Sequence, residues 1–546
     1  MTINDMKSAV FPQASFDAWK DEAVRTLNGK PFDRLMTPTF EGIELQPLYT
    51  AQHVQKVLNY SNIVSQDKQA GQWLVAQRTT GLTAKEFLHN TKEQLKLGND
   101  VIVYAGTSTP FTWSDEELQE LAELLKENPF YISAENPNDA IIRVFSFLST
   151  QECGNLDGFI NGLPVTIGKK VVSTRELHHS GGTAVHELTY ALMELSYIAE
   201  KETNFHSKVA VQFSIDTNFF MEIAKLRAFR VLWLAFSKAY NEKHTPIPVM
   251  AETSLRSYST LDPTVNLLRA GNATFSAVLG GADIITVHPH DLLTGSTPIS
   301  ERIARNVQLV IREETMVNKI IDPSAGSYYV ESLTADLVQQ AWALFLSIGE
   351  LDKTRQTEHL MSLAKEVQNK RNQALSERKA SLIGTNIYAN PADDATSILL
   401  NTRQDRLAIP FEKLREHFTK NPFKTAVVSF GVLKDVKPRA DFVQGFLQAG
   451  GLNPEMSPVF TTAENAWHWV KTNGFDYVVV AAKEEMVNEI VPQILQMSES
   501  QTKIDVAGKF KDIEQWKALG LNGNIFVGQD LVEKMHQLIE IQKEGK

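Results

Sequence analysis

The chain has 546 residues, too many for one hydrophobic core, so two or more domains are expected. Its 43% hydrophobic and 22% charged residues are those of a globular protein. A formal net charge of −11 argues against non-specific nucleic-acid binding, which needs clustered positive charge. The single cysteine, Cys153, excludes an intrachain disulfide and a Cys-based zinc cluster, which fits a reducing, cytoplasmic setting. Within STQECGN it reads as an incidental thiol rather than a nucleophile. No apolar run reaches the roughly 18 residues a membrane span needs. The first residues, MTINDMKSAVFPQ, lack the apolar centre of a signal peptide, and an early Asp5 without arginine argues against a transit peptide.

Residues 1–50 read as an N-terminal arm, with Phe11, Phe16 and Trp19 spaced as separate aromatic anchors rather than as a stripe. From there to about Glu350 strands and helices alternate. GQWLVAQRT (Gly71–Thr79) and DVIVYAG (Asp100–Gly106) read as strands; AKEFLHNTKEQLKLG and WSDEELQELAELLKEN read as helices, the second capped by Ser114. AIIRVFSFL, KVAVQFSID, the long FFMEIAKLRAFRVLWLAFSKAY, TPIPVMAET, VNLLRAGNATFSAVLGG and ADIITVHP continue the alternation, followed by a helix from Ser300 to Glu314. On physics alone Lys225, Arg227 and Arg230 form a charged helix flank, and Tyr328 and Tyr329 are packing residues.

The stretch Val171–Glu200 organises this half. Val171 and Val172 open a strand, Gly181 and Gly182 lie in a polar turn, and Leu188, Ala191, Leu192, Leu195 and Ile198 mark one buried helix face. Repeated strand–turn–helix units are most economically closed as a (β/α)8 TIM barrel over 51–350, with chemistry on the turns after the strands. In this unit that turn carries Arg175, Glu176, Leu177, His178 and His179.

A helical, charge-mixed linker (351–423) follows, broken near Gly384, Asn390 and Pro391. After Lys424 five short strands, KTAVVSFG, MSPVF, YVVVAA, KIDVAG and NIFVG, alternate with helices such as ADFVQGFLQAG and AENAWHWVKTNG. This predicts a flavodoxin-like, doubly wound domain over 424–546.

Several long runs resemble the methylmalonyl-CoA mutase family. HSGGTAVHELTYAL from His179 is similar to the family's E-A-G-A-x-x-x-x-E-L-A-Y-T-L, with Gly181, Glu187, Leu188 and Tyr190 matching. FFMEIAKLRAFRVLW, IARNVQLVIREE and DPSAGSYYVESLT resemble three further family runs, and TFEGIELQPLYT (Thr39–Thr50) its entry segment. The 380–393 stretch and the region from Ala440 through PVFTTAENA resemble the link to, and body of, the family's cobalamin domain. Because the family's arm wraps a partner subunit, the arm here is read either that way or as packing on its own domain.

The reactive positions do not follow. The family's Tyr-His pair falls on Arg175 and Glu176, its substrate-facing Tyr on Arg78 beside matching Trp73 and Gln77, and a Gln and a His on Asp283 and Thr286. Only about 65 residues separate Gly106 from Val171, where active chains use a longer stretch for the acyl-CoA channel. In the second domain the family's D-x-H-x-x-G cobalt-ligand loop falls on GVLKDVKPR, with Lys434 at the Asp and Val436 at the His. Lys483, Glu484 and Glu485 replace family leucine and alanines, and the family's glycine pair meets Ala507 and Gly508. The resemblance therefore implies a degenerate cobalamin-binding domain, and no catalytic, cofactor-binding or metal residue is assigned to this chain.

What the resemblance implies is a small, non-catalytic subunit of a heterodimeric mutase interconverting methylmalonyl-CoA and succinyl-CoA, in propionate metabolism. Adenosylcobalamin and the acyl-CoA substrate would be held by a large catalytic partner, with no nucleic acid and no membrane involved. Two alternatives stand beside it. One is an active acyl-CoA mutase chain using a separate cobalamin subunit. The other is a barrel metallohydrolase using His288 and His290 with His178 and His179, whose bland counterpart is a set of surface or interface histidines. A ligand-sensing or chaperone-like role is a further possibility.

Overall fold

A computed structural model describes residues 2–9, 15–54, 59–68, 71–106, 111–393, 405–498 and 502–544. Phe11 and the 394–404 part of the expected linker lie outside them.

The arm carries two short helices, Ile3–Ser8 and Phe16–Thr26, neither with a buried residue. Phe16 and Trp19 pack on each other (5.5 Å between centroids), Phe16 on His53 and Trp19 on Phe32. A small hairpin follows, β1 (Thr37–Pro38) paired with β2 (Glu44–Leu45).

Eight parallel strands come next: β3 (Leu74–Val75), β4 (Ile102–Ala105), β5 (Phe130–Ser133), β6 (Gly158–Asn161), β7 (Lys169–Ser173), β8 (Val209–Ile215), β9 (Val249–Thr253) and β10 (Ile284–Thr286). They neighbour one another in the order β3-β10-β9-β8-β7-β6-β5-β4. The two ends meet where Asp100 N donates to Val75 O at 2.8 Å and Thr79 N to Val103 O at 3.3 Å, so the sheet closes into the expected barrel. Its axis is filled by Ala76, Val103, Tyr131, Phe159, Ala210, Met250 and Ile284. It is a packed core, as barrels of this size are.

Two strands, β5 and β6, lie outside the stretches read as strands from the sequence. AIIRVFSFL, which continues the alternation in sequence, is instead a 3-10 helix over Ala140–Phe147. Gly158 in β6 is required by packing, because a Cβ there would stand 2.1 Å from the Phe130 ring.

The Val171–Glu200 unit forms as read. β7 leads into a short helix, Arg175–His179, and then the Ala184–Ala199 helix capped by Thr183, whose whole predicted apolar face is buried. The Phe219–Ala239 helix departs from its expected charged flank: Lys225, Arg227 and Arg230 are all buried. Arg227 pairs with Asp322 and, at 2.6 Å, with Glu331; Arg230 pairs with Asp67 at 2.6 Å and Asp283 at 3.0 Å. A buried charge persists only with such partners, and these lie far apart in sequence.

Beyond the helices Tyr328–Ile348 and Lys353–Ser376, the chain reaches the Ile409–Lys420 helix and a five-stranded parallel sheet. Its strands are β11 (Thr425–Phe430), β12 (Glu455–Phe460), β13 (Tyr477–Ala482), β14 (Lys503–Ala507) and β15 (Gly523–Ile525). The order β12-β11-β13-β14-β15 is flavodoxin-like. The loop after β9 is pinned beneath the intervening segment: Thr260 N donates to Glu412 Oε1 (2.8 Å) and Leu407 N to Arg256 O (2.9 Å).

Candidate active site at the barrel mouth

Chemistry in a (β/α)8 barrel belongs at the C-terminal ends of the strands. Here the end of β9 presents Glu252, a carboxylate 3% exposed. Arg78, from the segment after β3, pairs with it, and His288, after β10, places Nε2 3.0 Å from the same Oε1. Burial alone would raise the Glu252 carboxyl, but Arg78 and His288 hold it well below the usual range. Burial lowers the His288 pKa, Glu252 opposing. Beside them Gln212 Oε1 accepts from Ser173 Oγ (2.9 Å) and Tyr131 Oη (3.1 Å). The mouth is thus occupied by the chain's own polar side chains, each satisfying another, above an axis packed with Tyr131, Phe159 and Met250.

A second buried network lies behind it. His178 Nδ1 is 2.9 Å from Glu187 Oε1 and its Nε2 is 2.8 Å from Ser254 Oγ. Glu187 also accepts from Thr174 Oγ1 (2.7 Å) and Lys225 Nζ (2.9 Å), and Lys225 reaches Glu222 (2.6 Å). Burial drives the His178 pKa well below its ordinary value, so the neutral ring donates from Nδ1 to Glu187 and accepts from Ser254 at Nε2. The Ser–His–carboxylate order resembles a nucleophilic relay. Ser254, however, is 4% exposed and its Oγ also accepts the Arg256 N–H at 3.0 Å. The arrangement holds strand ends together.

The positions singled out in the sequence scatter. Arg78 reaches the mouth and Arg175 is half-buried beside it, whereas Glu176 faces solvent. Asp283 precedes β10 and sits at the opposite rim, accepting from Val249 N (2.8 Å) and pairing with Arg230. Thr286 donates to Ala76 O at 2.9 Å between strands. Gln77 is buried with its backbone held by Asn99, and Trp73 is core. Cys153 is half-buried and free.

Three of the four histidines are buried rather than at the surface, His290 is half-buried, and they do not form a metal centre. His178, His179 and His288 are buried, and His178 and His288 are engaged as above. Among the described residues no group of three His, Cys, Asp or Glu side chains could hold a metal ion. Glu252, Gln212, Ser254 and Arg256 were not singled out in the sequence. The available signal was an acid inside TPIPVMAET, since a carboxylate on a fully buried strand demands a cation.

The second domain can be tested for a cobalamin fit at the β11 switch point. The chain leaves β11 at Gly431 and enters the Leu433–Ala449 helix at once, where a free ligand loop would be needed. Val436 is 2% exposed and packs inward with Ala440 and Val443, while Lys434 points to solvent. Arg439 donates across the crevice to Ala482 O, and Lys483 lies 3.7 Å from both Asp435 and Glu485. Gly508, at φ +130°, is covered by the Phe510 ring, 2.9 Å from where a Cβ would stand. These residues do not fit the cofactor: there is no ligand side chain, and the crevice is bridged.

A closed parallel barrel carrying a flavodoxin-like domain, with a polar barrel mouth, defines a two-domain α/β chain of mutase type. The chain belongs to the methylmalonyl-CoA mutase family, whose model, described as methylmalonyl-CoA mutase, matches residues 121–421. It is similar to the methylmalonyl-CoA mutase small subunit of Porphyromonas gingivalis, 27% identical over 96% of this chain and 97% of that one. The small subunit of Propionibacterium freudenreichii subsp. shermanii is 27% identical over 67% of this chain and 61% of its own. The large subunit of Porphyromonas gingivalis is 34% identical, but over only 42% of this chain and 34% of that one. Among the described residues no helix is long and apolar enough to cross a membrane.

Proposed function

We propose that this chain is the non-catalytic small subunit of a cytoplasmic, heterodimeric methylmalonyl-CoA mutase. Its large partner carries adenosylcobalamin and acyl-CoA and performs the isomerisation between methylmalonyl-CoA and succinyl-CoA. The observation that carries this reading is the barrel mouth: Arg78, at the position of a substrate-facing tyrosine, is locked onto buried Glu252, which His288 also engages. The inward-packed Val436 supports the same reading for the cobalamin domain. Residues 1–50 serve as the partner-wrapping arm, 51–350 as the barrel, 351–423 as the linker and 424–546 as the degenerate cobalamin domain. The arm's two helices have no fully buried residue, which suits surfaces completed by a partner.

Purification of the tagged chain from its native source tests this. The expected result is a larger companion chain with the visible absorption of cobalamin, while the isolated chain is colourless and inactive. Stoichiometric cobalamin in the isolated chain, or mutase activity without a companion, rules the proposal out.

A further inference from the structure

A cavity of about 330 Å³ lies beside the barrel mouth, lined in part by Asp216 after β8 and Arg256 after β9. It is enclosed by the β1–β2 hairpin, the N-terminal turns of the Ala184–Ala199 and Phe219–Ala239 helices, and linker residues from Arg371 to Leu382. This volume falls at the lower end of the range of small-ligand sites.

Its wall holds an arginine with no ion-pair partner among the described residues. Arg371 is 8% exposed, yet its guanidinium makes one hydrogen bond, to Gly181 O at 2.6 Å, and lies 5.0 Å from the centre of the Phe40 ring. Of five N–H donors one is used among the described residues. Two other buried guanidiniums nearby are paired, Arg256 with Asp216 (2.7 Å) and Arg406 with Glu412 (2.7 Å), and Arg269 spends donors on Asn266 Oδ1 and Ile383 O. Burial, reinforced by Arg256, pulls the Arg371 pKa down to about 9, the mark of a desolvated cation lacking its partner. The cavity's acids do not supply one. Asp216 is taken by Arg256 and Ser257, Glu187 by Thr174, His178 and Lys225, and Glu222 by Lys225. Glu41, half-buried at the rim, forms no ion pair with it.

The rest of the wall is largely apolar, with Leu45, Met221, Leu382 and Leu407. We propose that this cavity binds a small organic monocarboxylate, its carboxylate on Arg371 and its hydrocarbon tail against Leu45, Met221 and Leu382. A guanidinium offers a carboxylate two parallel N–H donors, and an apolar tail removes water from the remaining wall. A doubly charged phosphate is disfavoured, because Asp216 and Glu187 face the same space and only one cation is free.

Calorimetric titration of the full-length chain with octanoate, and separately with inorganic phosphate, tests the assignment. Saturable one-to-one octanoate binding is expected, with phosphate at least tenfold weaker. Arg371→Gln should weaken octanoate at least tenfold. If that variant does not fold, Ser381→Trp, an exposed position on the cavity rim, fills the opening without touching the charge and should have the same effect. Absence of saturable octanoate binding, tighter phosphate binding, or an octanoate affinity unchanged in the folded variant overturns the proposal.

Discussion

His288 Nε2 stands 3.0 Å from the Glu252 carboxylate, and Arg78 holds the same oxygen from the other side. Two strand ends and one loop are thereby fastened across the mouth of the barrel. Arg78→Ala leaves Glu252 buried with only His288 paired to it. Removing one partner of a buried pair costs about 3–5 kcal/mol. Because the Arg78 side chain is 27% exposed, a smaller loss of about 1–3 kcal/mol is expected here. Urea unfolding measures it, and a loss below about 0.5 kcal/mol would show that the pair does not fasten the mouth.

By resemblance, Arg175 and Glu176 fall where the active family has its reactive pair. In the reconstituted complex, Arg175→Ala and Glu176→Ala should each leave turnover within about twofold. Loss of a positioned acid or base typically costs about 10²–10⁴ in rate. A loss of that size with assembly intact would mean the mouth is catalytically live.

Glu222 makes stability depend on pH. Burial, opposed by Lys225 and reinforced by Glu187, raises its pKa from 4.5 to about 7. The folded state therefore retains a proton that the unfolded chain has released. This contribution is complete below about pH 4.5 and is lost as pH rises through about 7. Glu222→Gln should gain stability relative to the parent across that window, by about 2 kcal/mol. Chemical denaturation at pH 5 and pH 8 gives the difference; a parent-to-variant gap that does not change between them contradicts the assignment.

The arm tests assembly separately from folding. Deleting residues 1–30 removes helices with no buried residue, so cooperative unfolding of the remainder should shift little while association with the partner weakens. The aromatic anchors that remain testable within the described residues are Phe16 and Trp19. Failure of the truncated chain to fold, with association of any soluble fraction unchanged, would place the arm in this chain's own core.

The sequence by itself determined the two α/β units, the Val171–Glu200 βα unit and the five strands after Lys424, because period-two and period-3.6 burial is a local property of the chain. It also carried the family, through long runs whose charges meet one another in the fold, as Arg227 meets Asp322 and Glu331. What it could not reveal is which charges are internal. Arg227 and Arg230 read as a solvated flank because each is neutralised by residues distant in sequence, as Lys225 is in part by Glu187, and His178 and His288 read as ligands or surface groups for the same reason. The short strands β5 and β6 depend on neighbours for their pairing and left little signal of their own. The locked barrel mouth, the inward turn of Val436 and the burial of Arg371 with no ion pair among the described residues were decided only by the tertiary structure, since desolvation and pairing are set by what the rest of the chain places within a few ångströms.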